Sequence, residues 1–219
     1  MTKVKRQKEI CYFCGAKATS NDHLPPDTIF DDPKPSNLIT VPSCDLHNSK
    51  QSKDDEYFGI IIKTASAKNP IAEKLIRTKV VNGFKRRPKL LFALLKKSRE
   101  VEVVTPAGLI VGKAHALEYE HDRIVSVVTR ITKGFYLKFC EKRLPDNYFV
   151  RVLPINPKLD PKIIEVMDTV PIHTIATGIF AFSFWQEPSD PNFTAWFFWF
   201  YDQTCVVSFT DKEPSGKVS

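Results

Sequence analysis

Two short pairs of metal-ligating residues, Cys11-x-x-Cys14 and Cys44-x-x-His47, constrain this chain more than any other feature. Thiolate and imidazole are the donors zinc prefers, and a two-residue spacing lets each pair grip one ion from a single turn. A Cys₃His zinc site made of Cys11, Cys14, Cys44 and His47 would tie the two ends of this stretch together. The rival reading of Cys11 and Cys14 is a redox pair, which would open a helix after a strand. Here Gly15 follows Cys14, as in a zinc turn. The chain has five cysteines, an odd number. Its first residues, MTKVKRQKEI, are charged and carry no apolar leader. We therefore expect a cytoplasmic protein with reduced thiols and no disulfide framework. The longest apolar run, Phe193 to Phe200, is too short to span a bilayer, so no membrane partner is expected.

With 219 residues and 42% hydrophobic content, the chain can bury a substantial core. Composition divides it into three parts: residues 1–62 with the knuckles, a basic connector over 63–99, and 100–219. In the first part, Leu38 to Pro42 reads as a short strand, and the stretch from Cys44 to Ser66 as helical, with Tyr57, Phe58, Ile61 and Ile62 at helical spacing. The second part predicts two helices with a turn near Asn82-Gly83. The third reads as α+β. Strands from Glu100 to Thr105 and from Leu109 to Leu117 flank the turn residues Pro106-Ala107-Gly108 of a hairpin, and an amphipathic helix runs from Glu120 towards Pro145. A strand at Tyr148 to Ile155, a short helix at Pro161 to Val170 and aromatic-rich strands around the loop QEPSDPN follow. The alternation of Phe180, Phe182 and Phe184, and of Trp196, Phe198 and Phe200, suits paired strands with one face in a core. A base-stacking platform or a self-association surface are the other readings of these aromatics. His115, His121 and His173 read as ordinary histidines, and Cys140 and Cys205 as buried thiols.

Between and after the knuckles lie Asp22-His23-Leu24-Pro25-Pro26, Asn37-Leu38-Ile39-Thr40-Val41-Pro42 and Asn48, with Lys50 and Lys53 close behind. In order and spacing this set resembles the zinc-bound HNH endonuclease family, over roughly residues 9–58. The family pattern is Cys-x-x-Cys, Asp-His-x-x-Pro, Asn-Leu-x-x-Val/Leu, then Cys-x-x-Cys-Asn with a nearby Lys. This chain departs from it with His47 at the fourth zinc position, and its last motif residue is Asn48, making a His-Asn-Asn version. His47 could instead face the catalytic metal, leaving zinc three ligands plus Asp45 or a water. The resemblance implies a ββα-metal fold with one catalytic divalent cation such as Mg²⁺. His23 would be the general base, Asp22 and Asn48 the cation ligands, and Asn37 the brace of the loop that orients His23. These residue types suit phosphodiester hydrolysis: an imidazole titrates near neutrality, and hard oxygen donors suit a hydrated cation. The expected fold class is thus α+β, with an N-terminal HNH unit, a basic helical middle and a C-terminal α+β domain.

The net charge of +7 favours a polyanionic partner. Between residues 63 and 99, twelve Lys and Arg face the single acid Glu73. Arg86, Arg87 and Lys89, with Lys50 and Lys53, are the expected phosphate contacts, on DNA in preference to RNA. A solvated helical face is the plain alternative. Function is thus expected to be endonucleolytic, with bacterial defence against foreign DNA as one setting. The alternative is an inactive zinc-organised module that binds nucleic acid or recruits a protein partner, and the C-terminal part could carry a homo-oligomer or partner contact.

Overall fold

The computed structural model describes residues 10–86, 92, 96, 98–105 and 107–212, without the side chains of Phe84, Arg86, Ala114 and His115. Helices and antiparallel sheets alternate along it. Strands β1 (Ser20–Leu24) and β2 (Ile39–Ser43) pair with Asp22 opposite Val41 and His23 opposite Thr40. Side chains alternate across a strand, so Asp22 and Leu24 point inward while Asn21 and His23 face out.

Helix α1 (Ser52–Ala65) follows β2 after two single turns of 3₁₀ helix, Asp45–His47 and Ser49–Gln51. The helix expected to start at the second knuckle thus begins later. Asn48, at φ −125° and ψ −91°, is far from helical geometry and separates the two turns. Helix α2 (Pro70–Leu75) has Asn69 as its N-cap, accepting from the amides of Ile71 and Ala72, and Pro70 in its first turn. It passes through a π-helical stretch (Ile76–Val80) into α3 (Val81–Arg86). The turn expected near Asn82-Gly83 is therefore helix. The wider π winding keeps the backbone bonded through this stretch, and burial of Leu75 and Val80 holds the segment against the core. The second expected helix of the basic segment lies largely outside the described residues, as do Arg87 and Lys89.

Strands β3 (Ser98–Val104) and β4 (Ile110–Leu117) form the expected hairpin. Helix α4 (His121–Phe139) is the central element. Its apolar stripe of Ile124, Val127, Val128, Ile131 and Phe135, spaced by three and four, is fully buried. Beyond it lie β5 (Phe149–Val152), α5 (Pro161–Thr169), β6 (His173–Ala176), β7 (Phe180–Gln186), β8 (Thr194–Phe200) and β9 (Thr204–Asp211). The last five strands make one antiparallel sheet in the order β5-β9-β8-β7-β6. Strand β6 has no counterpart in the sequence reading; its four residues are too short and too polar to show periodicity.

Aromatic packing follows the alternation, on both faces of the sheet. Phe180, Phe182, Trp196, Phe198 and Phe200 join the main core under α4, where Phe135 meets Phe182 edge-on at 4.7 Å. Phe197, Val207 and Phe209 form a second cluster with Ile163 and Met167 of α5. The expectation of one core face is thus corrected: α5 covers the other. The main core runs without a break from Cys11 and Leu24 through α1 and α4 to Val206. Helix α4 joins its ends, packing on β1 through Gly134 and bonding β9 through Thr132, whose hydroxyl meets that of Ser208 at 2.7 Å. A Cβ on Gly134 would stand 1.9 Å from Leu24 Cδ1, so only glycine allows this approach. Cys140 and Cys205 are half-buried rather than buried, and burial pushes both thiols up to about 11. His121 starts α4, exposed, and His173 is exposed on β6 with its ring stacked on Phe182 at 5.0 Å. No described helix is long and apolar enough to cross a membrane.

Candidate metal centre and adjoining cleft

The two knuckles meet. One ligand atom from each of Cys11, Cys14, Cys44 and His47 lies within 4.8 Å of all the others, and no other such grouping of three or more His, Cys, Asp or Glu occurs among the described residues. Local geometry presents them. The amide of Gly15 bonds back to Cys11 O at 2.9 Å, and that of Cys11 to Ala16 O at 2.7 Å. Gly15 takes φ +74°, which favours glycine at the exit of this turn. The 3₁₀ turn after Cys44 brings His47 Nδ1 to 3.3 Å from Cys44 Sγ and 3.8 Å from Cys11 Sγ, while Cys14 and Cys44 sulfurs are 3.9 Å apart.

Those spacings are a test of fit. A zinc tetrahedron with ordinary bond lengths has edges of about 3.8 Å between sulfurs and about 3.6 Å between sulfur and nitrogen. The one sulfur–sulfur distance given, 3.9 Å, and the sulfur–nitrogen distances of 3.3 and 3.8 Å lie close to these values, so the quartet could hold a zinc ion. His47 lies on this side of the turn, with the thiols. Phe13 stacks on its ring at 4.2 Å, and Lys133 Nζ lies 4.0 Å over Phe13. Burial, then the charges of Lys133 and Arg130, lower the His47 imidazole below its ordinary value, which favours the neutral, ligating form.

Next to this quartet is a cleft of about 200 Å³ lined by Asp22, His23, Asp27, Thr28, Asn48 and Asp55. It brings together Asp22, His23 and Asn48, and does not include Asn37. Strand β1 supplies Asp22 and His23 on opposite faces, and the break between the 3₁₀ turns supplies Asn48. Asn48 Nδ2 donates to Ser20 Oγ at 2.8 Å and to Asn21 O at 3.0 Å. With both contacts on the amide nitrogen, the carboxamide oxygen is turned away from β1. The ring of His23 is exposed and makes no protein hydrogen bond among the described residues. Asn37 Nδ2 donates to Ile175 O at 3.1 Å, tying the β1–β2 connection to β6.

Asp22 is held from below. Its Oδ2 accepts from Tyr12 Oη at 2.9 Å and from Arg130 Nη1 at 3.4 Å, and the residue is 5% exposed. Burial raises its carboxyl above the usual range, opposed mainly by Arg130 and the Tyr12 bond. The same guanidinium pairs through Nη2 with Asp55 of α1, whose carboxyl burial pushes up to about 6 against Arg130's pull. Both side-chain donors to Asp22 converge on Oδ2, so Oδ1 is free of them. One carboxylate oxygen and one amide oxygen in a polar cleft suit a hard cation that keeps several waters.

Tyr12, Asp55 and Arg130 escaped the sequence reading. Tyr12 hides inside the first knuckle, and Asp55 is one acid in the run Asp54-Asp55-Glu56. Arg130 carries the clearest trace, a charged residue amid the apolar stripe of α4, yet nothing local says what it pairs with. Of the expected phosphate contacts, Lys50 and Lys53 are exposed near the cleft, and Arg86 ends α3. No protein-family model, curated protein or solved structure matches the chain.

Proposed function

We propose that this protein is a metal-dependent endonuclease of the HNH kind, acting on DNA. The observation that carries the reading is the shared cleft of Asp22, His23 and Asn48 beside the Cys/His quartet. His23, whose exposed ring makes no protein hydrogen bond among the described residues, would take the proton of an attacking water through a ring nitrogen. Asp22 Oδ1 and the Asn48 oxygen would hold the divalent cation. That cation would supply charge neutralisation at the scissile phosphate and leaving oxygen. Lys50 and Lys53 would draw the phosphate backbone to the cleft. Zinc at Cys11, Cys14, Cys44 and His47 would fix β1 and Asn48 relative to each other.

A specific observation also favours the inactive nucleic-acid-binding module. Asp22 is committed to Tyr12 and Arg130, an arrangement a purely structural carboxylate would adopt. Incubating the purified chain with supercoiled plasmid, and separately with RNA, in Mg²⁺, Mn²⁺ or EDTA tells the two readings apart. The nuclease gives nicked or linear plasmid with metal and none with EDTA. Retarded but uncut DNA under every metal condition would contradict it and leave the binding module.

A further inference from the structure

Arg130 has no part in the nuclease reading as set out above, yet it is buried and paired with two carboxylates at once. It sits on α4, 2% exposed, with one guanidinium nitrogen on Asp22 of β1 and the other on Asp55 of α1. Its Nε is buried without a partner. Among the described residues, the guanidinium's side-chain bonds are thus those to its two carboxylates. Gly134, one turn further along α4, lets the helix come close enough to β1 for this reach.

Charge makes the arrangement informative. Asp22 and Asp55 both line the cleft, while Arg130 lies beneath them. The third lining acid, Asp27, is neutralised by Lys34, and Asp54 nearby is paired with Arg123 at 2.7 Å. The cleft floor thus carries two carboxylates against one fixed cation, an excess of a single negative charge. Two bare carboxylates would hold a divalent ion tightly; a permanent guanidinium beside them weakens that hold by simple repulsion.

We propose that Arg130 is a positioning residue and the standing counter-charge of this cleft, fixing Asp22 and Asp55 while keeping the cleft's divalent-cation site weak and exchangeable. The proposal rests on the nuclease reading for the presence of that cation. Nuclease cations bridge protein and phosphate, so a site that fills completely only with nucleic acid present suits that chemistry.

The test is direct titration of the zinc-loaded full chain with Mn²⁺, following the free-ion electron paramagnetic resonance signal, with no nucleic acid and no turnover. Asp55→Asn removes one negative charge and keeps shape; its Mn²⁺ affinity should fall on the order of tenfold or more. Arg130→Lys keeps the charge and should stay within about threefold of wild type. Arg130→Met should bind on the order of tenfold more tightly, and added Mn²⁺ should raise its melting temperature more than that of wild type. Should Arg130→Met fail to fold, Arg130→Gln, which also removes the charge but keeps a polar side chain in place, makes the same comparison. Mn²⁺ affinity no tighter once the Arg130 charge is removed, or unmoved by Asp55→Asn, would overturn the role of Arg130 and leave the nuclease reading standing. Wild type that binds no Mn²⁺ in the millimolar range would overturn both.

Discussion

The Cys/His quartet and the cleft beside it stand a few residues apart in sequence, yet they are built on opposite principles. In the quartet, the four donors lie within 4.8 Å of one another, and the closer pairs are spaced about as zinc ligands are. In the cleft, the donors are held mainly by protein: Asp22 by Tyr12 and Arg130, Asn48 by Ser20 and Asn21. A site that serves folding can give all its donors to the ion. A site that serves chemistry must hold its groups in place while the ion and substrate come and go, so it needs supports from elsewhere in the chain. In the proposed reading of the cleft, those supports come from α4, the first knuckle and β1.

Disrupting the quartet should have the largest effect. Zinc bound at such a site contributes folding free energy of about 10 kcal/mol or more. Cys11→Ser is expected to lose zinc by elemental analysis and to give unfolded or insoluble protein. Full zinc-free solubility with native circular dichroism would break the comparison at its first term.

Gly134→Ala separates the two sites. A methyl group there must push into fully buried Leu24, and overpacking of this kind costs about 1–3 kcal/mol. The melting temperature should fall while zinc stays at one per chain, because the clash lies under β1 and not at the thiols. Loss of zinc in this variant would show that quartet and cleft are one cooperative unit.

A smaller effect concerns the wall of the cleft. Lys63, 4% exposed, donates from Nζ to Thr28 O at 2.5 Å and Gly59 O at 3.2 Å, clamping the 3₁₀ turn Asp27–Ile29 onto α1. Burial pulls its amine down to about 8, against about 10.4 in an unfolded chain. Between those values the unfolded chain binds more protons, so stability rises with pH. The penalty of burying the charge is fully present below pH 8 and is relieved as pH approaches 10.4. Denaturant unfolding at pH 7.5, 8.5 and 9.5 should show this rise in wild type and a flatter profile in Lys63→Met. Equal slopes in both proteins would mean Lys63 is not the group responsible.

What the sequence disclosed follows the same division. The quartet was legible because all four ligands lie in two tight spacings, each a single turn. The hairpin of β3 and β4, the amphipathic α4 and the aromatic strands were legible because periodicity and turn residues are local. Strand β6, the π-helical stretch Ile76–Val80 and the helix that continues through Asn82-Gly83 were not, since tertiary packing decides them. The cleft was legible only in its motif residues, Asp22, His23 and Asn48. Arg130 lies 108 positions from Asp22 and 75 from Asp55, and no spacing rule links residues so far apart. Asn37 was read from its motif position, but its observed side-chain partner, Ile175 O, belongs to a distant strand that no local pattern announces.

The central claim is that His23 drives metal-dependent phosphodiester cleavage in this cleft. The most direct measurement compares His23→Ala with wild type on supercoiled plasmid at saturating Mg²⁺ or Mn²⁺, with zinc content and melting temperature checked in both. Loss of a general base predicts a rate lower by about 10²–10⁴, with zinc content and folding intact, since the exposed imidazole touches neither the quartet nor the core. Equal cleavage rates in the two proteins would contradict the account and place any activity outside the cleft.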